Sequence, residues 1–492
     1  MPTKPPDRKP EPTVFVGRGY ELSRFREIRE SQGPKIVVVY GRRRVGKTTL
    51  VHKATEGQNV YFFEGLQGQG RTTQLRHFVE QLAARVNDSN LSRLRIESWK
   101  EAFLLLDGYT CNQACVIYLE EVQWMADYRD ELVSDLKFVW DNHFQKNRHL
   151  TMVVCGSSPS FLIRNVMQSK ALHNRSQWEM PVKELPFADA IQLLRHDKSP
   201  LEQLDGYLAV GGIPEYLKML SSDSTVYLSL TKNAFSLGGY FVHEAERVFV
   251  SSLADRPGYR AVIELLAKKG PHTKSSILKS IGNSSGGGAK DVFEDLELCG
   301  FIYPYSPIGF GKVERECKWM ICDPYLQLYF RLIAPKLPAI RRGEFNSRPS
   351  EGLSHTEYRK WLGLAFERFC LFHHRQIATV LGFSGVEYQV GPHYQRNNLA
   401  AGQLDLVFDR KDRVTTVCEI KYQINPPGGE TIMPLERAIQ LLPSNKQRSV
   451  QKVLISPNGA APSLVKKGYF DQILDWNRLR PAIVEQPHTV LH

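Results

Sequence analysis

The stretch Lys35-Ile-Val-Val-Val-Tyr-Gly41-Arg42-Arg43-Arg44-Val45-Gly46-Lys47-Thr48-Thr49-Leu-Val-His-Lys53 decides the fold. Its first six residues form a short apolar, β-branched run, as expected of a strand buried on both faces of a parallel sheet. Its last residues read as a helix. Between them stands the spacing GxxxxGK[ST]. Gly41 and Gly46 let the backbone N–H groups of Arg42, Arg43, Arg44 and Val45 turn inward around phosphate oxygens. Lys47 offers a point charge to the β- and γ-phosphates. Thr48, at a helix N-terminus beside Thr49, offers a hydroxyl to Mg²⁺. The implied ligands are ATP and Mg²⁺.

A phosphate loop of this kind needs an acid at the end of a neighbouring strand. Val116-Ile-Tyr-Leu-Glu120-Glu121 supplies two, with Glu120 in the metal-side place and Glu121 in the water-activating place. The usual residue at the first place is Asp, so Glu120 is one methylene longer. The competing reading is a pair of solvated acids at a strand end. The run Val153-Val-Cys-Gly-Ser157 would put a hydroxyl between the loop and the acids, and Arg175 is a candidate finger that stabilises phosphate charge. A loop serine and a surface arginine are the ordinary alternatives.

Outward from this core the chain has 492 residues, which suits three or four domains at roughly 100–200 residues each. Residues 1–13 read as a flexible tail, 14–187 as the P-loop ATPase core, and 188–255 as a helical lid. Residues 256–335 carry three helical patterns and a two-stranded hairpin, the plan of a winged helix-turn-helix. A polar linker, 336–355, leads to an α/β domain over 356–492. The net charge of +12 permits a nucleic-acid partner without identifying one. Charge placement weakens a groove-reading role for the winged helix: its last helix carries Asp291, Glu294, Asp295 and Glu297, so protein or interdomain contact is expected instead. No apolar run has transmembrane length, the N-terminus has no secretory pattern, and the eight cysteines show no zinc spacing. A cytoplasmic protein without membrane association is expected.

The order of Phe15-Val16-Gly17-Arg18 with Glu21, the phosphate loop, the acidic strand end, Cys-Gly-Ser157-Ser and Gly211-Gly-Ile-Pro214-Glu-Tyr-Leu217 resembles the archaeal-type AAA ATPase family of archaea and bacteria. The resemblance implies that Val16, Gly17 and Arg18 lie on the base side of the nucleotide and that Pro214 belongs to the lid. It also implies a winged helix after the ATPase and, often, a C-terminal domain of the PD-(D/E)XK nuclease superfamily. Glu120 departs from the family pattern.

The C-terminal region supports such a domain on its own residues. Gln403-Leu-Asp405-Leu-Val-Phe-Asp409 and Val414-Thr-Thr-Val-Cys-Glu419-Ile-Lys421 read as two strands. A three-residue turn at 411–413 would set Asp405 opposite Glu419, with Cβ atoms about 5 Å apart. Period-two alternation adds Lys421 to that face. Two carboxylates and an ammonium can hold Mg²⁺ or Mn²⁺ and orient a water. Glu367, in Gly363-Leu-Ala-Phe-Glu367, is a third acid from a helix. The pattern resembles the PD-(D/E)XK core; a solvated cross-strand ladder is the plainer reading. Two functions follow. One is an ATP-regulated, metal-dependent nuclease on nucleic acid, with DNA preferred to RNA and a linker relaying the nucleotide state. The other is an ATP-dependent switch or scaffold whose inactive nuclease-like domain binds nucleic acid or protein.

Overall fold

A computed structural model describes residues 15–168, 176–195, 197–253, 257–282, 287–308, 317–396, 401–442 and 448–485. Strands β1 (Lys35–Tyr40), β2 (Val60–Glu64), β3 (Cys115–Glu120), β4 (Leu150–Gly156) and β5 (Ser176–Pro181) form one sheet in the order β2-β3-β4-β1-β5, parallel throughout. In β1, Ile36 and Val38 enter one apolar layer while Val37 and Val39 enter the other, all fully buried. The first layer is closed by helices Arg71–Val86, Trp99–Thr110 and Glu131–Asn142, the second by Gly19–Glu30 and Lys47–Ala54. This is the P-loop ATPase architecture expected from the β-rich runs. Strand β5 was not expected: it lies at the sheet edge, and Glu179 within it is exposed, so it carries no apolar run.

Helices Pro200–Val210, Pro214–Met219, Val226–Phe235 and Tyr240–Leu253 follow. The first opens with a capping box between Ser199 and Glu202. Gly212 is required where it stands, because a Cβ there would overlap the Leu185 carbonyl. Next come helices Pro257–Lys269, Lys274–Ser280 and Gly287–Leu298. They accompany β6 (His272–Thr273), β7 (Ile302–Tyr305) and β8 (Lys318–Ile321), ordered β6-β8-β7 and antiparallel. The expected hairpin thus gains a third strand. The acids of Gly287–Leu298 turn to the ATPase core: Arg164 meets Asp295 at 2.9 Å, Glu294 at 3.3 Å and Asp291 at 4.0 Å.

Within residues 336–355, Ile340 and Gly352 are buried. Leu353 is fully buried, and Tyr227 Oη donates to its carbonyl at 2.5 Å. Beyond them, helix His355–Phe372 precedes a second sheet of β9 (Tyr388–Arg396), β10 (Ala401–Arg410), β11 (Val414–Ile420), β12 (Ser449–Ile455) and β13 (Gln472–Leu474). Its order is β13-β12-β11-β10-β9; β9, β10 and β11 are antiparallel neighbours, and β11, β12 and β13 parallel ones. An apolar core runs from the ATPase sheet into this region, with Phe187 edge-on to Trp476 at 5.5 Å between ring centroids. Among the described residues, no helix is long and apolar enough to cross a membrane.

Candidate functional site

The phosphate loop is held from behind. Gly41 lies so close to the Val182 carbonyl that a Cβ would overlap it, and Gly46 sits at φ +92°, a left-handed conformation that favours glycine. Arg18 Nη2 donates to the carbonyls of Val45 and Lys183, each at 2.7 Å, and Nη1 donates to Glu21 at 2.8 Å. Arg18 therefore fastens the loop to the segment after β5. Gly17, at φ +65°, backs onto Asp189, and Val16 is buried. Lys47 Nζ donates to the carbonyls of Gly41 and Arg42 at 2.9 and 3.1 Å, while Thr48 and Thr49 are exposed at the helix start. Pro214 begins its helix over the loop, its Cγ 4.0 Å from where a Cβ on Gly46 would stand.

The loop arginines divide. Arg42 is buried against Glu184 and Asp323, and Arg44 makes a two-pronged pair with Glu244 at 2.5 and 3.0 Å. Glu244 also accepts from Tyr216 Oη at 3.1 Å. Acids on other elements hold these two guanidiniums aside, which leaves the backbone N–H groups of Arg42 and Arg44, as expected from the spacing, for phosphate. Arg43 is partly buried, with Nε lacking a hydrogen-bond partner.

Strand order explains the acids. Because β4 lies between β1 and β3, Ser157 after β4 falls between the loop and the acids after β3. Ser157 donates to Glu121 from its N–H at 2.9 Å and its hydroxyl at 2.7 Å; Gln123 Nε2 adds a third bond at 2.5 Å. Gln123 is fully buried and was not singled out in the sequence, where an isolated glutamine carries no signal. Glu121 sits at φ +52°, which swings its side chain away from the strand's alternation. Burial first, then the neighbouring Glu121 charge, pushes the Glu120 carboxyl up to about 7; the Lys47 charge, then hydrogen bonds from Cys155 and Thr48, pull the other way. Glu120 Oε2 is buried without a hydrogen-bond partner, an orphaned acceptor beside Thr48 that a cation would satisfy. Arg175 lies outside the described residues.

The second constellation is assembled across strands. Leu406 stands opposite Cys418 and Asp409 opposite Thr415, so the same count sets Asp405 opposite Glu419. A bulge between Leu404 and Val407, in the pairing with β9, re-aims this part of β10. Asp405 Oδ2 accepts from the Ile420 N–H at 3.1 Å, and Lys421 Nζ pairs with Glu419 at 2.5 Å. Cys418 and Ile420 point into the core. Glu367, on helix His355–Phe372, is near enough for burial, Asp405 and Glu419 to push its carboxyl up to about 7. Burial and Glu419 push Asp405 up to about 6, with Lys421 opposing both rises. Among the described residues, no set of three or more His, Cys, Asp or Glu side chains is gathered to hold a metal by itself.

Residues 15–220 match a family described as an ATPase domain predominantly from Archaea. Together with the parallel sheet and phosphate loop, that match defines this part of the chain as an archaeal-type P-loop ATPase domain. More widely, the chain is 25% identical to an uncharacterized protein of Methanocaldococcus jannaschii over 357 residues, covering 72% of this chain and 76% of the other. Among solved structures it is similar to the Walker-type ATPase of Pyrococcus abyssi, at 18% identity, covering 64% of this chain and 96% of that one, TM-score 0.46. It is also similar to the Aeropyrum pernix ORC2 protein in ADPNP–ADP complexes, at 13% identity, covering 68% and 96%, TM-score 0.44.

Proposed function

We propose that ATP binding and hydrolysis at residues 41–48 regulate a metal-dependent nuclease site on the C-terminal sheet, with DNA as its substrate. The observation that carries this reading is the meeting of Asp405, Glu419 and Lys421 on one face, with Glu367 in electrostatic reach, in the same chain as a complete phosphate loop. In the ATPase, Lys47 leaves its two loop carbonyls for the phosphates, and Glu121, aimed by Ser157 and Gln123, orients the attacking water. Thr48 and Glu120 would hold Mg²⁺. At the second site Asp405 and Glu419 would hold Mg²⁺ or Mn²⁺, which when bound supplies Lewis-acid stabilisation of phosphate charge. Lys421 positions the water whose oxygen attacks phosphorus as the P–O bond to the leaving strand breaks; the proton passes to solvent or to the leaving oxygen. The three helices and small sheet over 257–321 read as a winged helix used for interdomain contact, a reading supported by the pairing of its acids with Arg164.

A second reading has its own support: Lys421 already neutralises Glu419, as in a domain that binds nucleic acid or protein without cutting it. Incubation of duplex and single-stranded DNA with Mg²⁺ or Mn²⁺, with and without ATP, separates the two. Wild type should cut, Asp405→Ala should not, and Lys47→Ala should lose the ATP response. Cleavage persisting in Asp405→Ala sinks the site assignment; binding without cleavage by wild type selects the second reading.

A further inference from the structure

The phosphate loop and the C-terminal acids are joined by buried charge. Arg42 is 5% exposed; its Nη1 donates to Glu184 at 2.7 Å and pairs with Asp323. Asp323 caps helix Pro324–Leu328, its Oδ1 accepting from the Leu326 N–H at 2.8 Å. One turn on, the Gln327 N–H donates to the Asp323 carbonyl at 3.2 Å, and Gln327 Oε1 accepts from Arg368 Nη1. Arg368 adjoins Glu367 on helix His355–Phe372.

Arg368 is 6% exposed, and among the described residues no acid lies within ion-pair distance of it. Burial lowers its pKa to about 10, with Cys322, Asp323 and Glu184 restoring part of the loss. Arg42 thus pairs directly with Glu184 and Asp323, while Arg368, held by Gln327, feels the same two carboxylates at longer range. In a low-dielectric interior, uncovering any one of these charges is strongly unfavourable, so the groups cannot shift independently. At the loop end, the Arg42 carbonyl accepts from Lys47 at 3.1 Å. A bound triphosphate competes for Lys47 and for the loop N–H groups. Losing the Lys47 bond would free the Arg42 carbonyl to move, and with it the residue whose side chain pairs with Asp323. The far end of the C-terminal site is pinned separately, by Tyr422 Oη on Asp205 of helix Pro200–Val210.

We propose that Arg42, Asp323, Gln327 and Arg368 form a relay, buried but for the half-buried Gln327, through which nucleotide at the phosphate loop sets the position of Glu367 beside Asp405 and Glu419. These are positioning residues, and the route replaces one along 336–355. The proposal rests on the functional reading above for the role of the acids, but its test does not require cleavage.

Hydrogen–deuterium exchange on the full chain, with and without ATP and Mg²⁺, reads the relay directly. In wild type, ATP should slow exchange by about fivefold or more both at 41–50 and at 362–372 with 417–422. Gln327→Leu, close in volume, should keep the first response and lose the second. Gln327→Glu, which gives Arg368 a charged partner, should keep both. A C-terminal response that survives in Gln327→Leu overturns the relay, as does a wild type that responds only at the loop. Exchange responses at both places without DNA cleavage would sink the nuclease reading alone. Cleavage with no C-terminal exchange response would sink the relay alone.

Discussion

In the N-terminal sheet, the candidate site residues stand at the end of β3 and on the turns that follow β1, β3 and β4; in the C-terminal sheet, Asp405 and Glu419 stand inside the strands themselves. The first arrangement lets contiguous residues form a cradle, since backbone N–H groups need only a tight turn between strand and helix. The second depends on register, because Asp405 and Glu419 meet only through the pairing of β10 with β11. A slip of one residue would turn Asp405 to the other face. The cradle is thus set by adjacent residues, although distant elements brace it from behind; the opposed carboxylates are set by the alignment of separate strands and of the helix bearing Glu367.

Lys47→Ala provides the largest expected break in this comparison. ATP hydrolysis, followed by phosphate release, should fall on the order of 100-fold or more, because the loop then lacks its only phosphate-facing ammonium. Hydrolysis near the wild-type rate would remove the basis for the phosphate loop as the reaction site. Lys421→Met should lower DNA cleavage on the order of 100-fold while leaving ATP hydrolysis in place, showing that the two sheets carry separate chemistry. Loss of both activities would instead indicate one shared site.

Stability gives a smaller contrast with a definite sign. Burial and the neighbouring carboxylates push the folded Asp405 and Glu367 carboxyls up to about 6 and about 7, above their usual values. The folded chain therefore holds protons that the unfolded chain has released. This contribution is fully present below about pH 4 and is lost as pH rises through 6 to 7. Asp405→Asn, whose amide oxygen can still accept from Ile420, should stabilise the chain by up to about 2 kcal/mol at pH 8 and by almost nothing at pH 4. Thermal melts at the two pH values check this, and an equal effect at both would contradict the buried-acid account. The smallest effect belongs to Arg164→Ala. Its guanidinium is about one-third exposed, so about 1 kcal/mol or less is expected in denaturant titration. A much larger loss would mean that the helix Gly287–Leu298 depends on this contact for its place.

The parts legible in the sequence share a local cause. Strands β1, β3 and β4 are buried almost throughout and so read as apolar runs, while β2, an edge strand buried only at alternate residues, was legible because its sequence is apolar; β10 and β11 announced themselves through alternation and a short turn. Strands β5, β9 and β13 lie at sheet edges, and β9 carries Gly391 and Pro392, which suit an edge and erase the strand signal. The candidate sites divide in the same way. Lys47 and Thr48 could be placed from spacing alone. Gln123 could not, because its importance comes from facing Ser157 and Glu121 across two loops.

The sequence by itself determined the phosphate loop, the acidic strand ends and the pairing that opposes Asp405 to Glu419, since each depends on neighbours a few residues apart or on one tight turn. Only the tertiary structure decided where Arg42 and Arg44 point, that the acids of the helix Gly287–Leu298 face Arg164, and that Arg368, next to Glu367, meets Gln327 on the helix capped by the Asp323 that pairs with Arg42. Those outcomes depend on which charges are desolvated together, a property of packed elements that residue spacing does not carry.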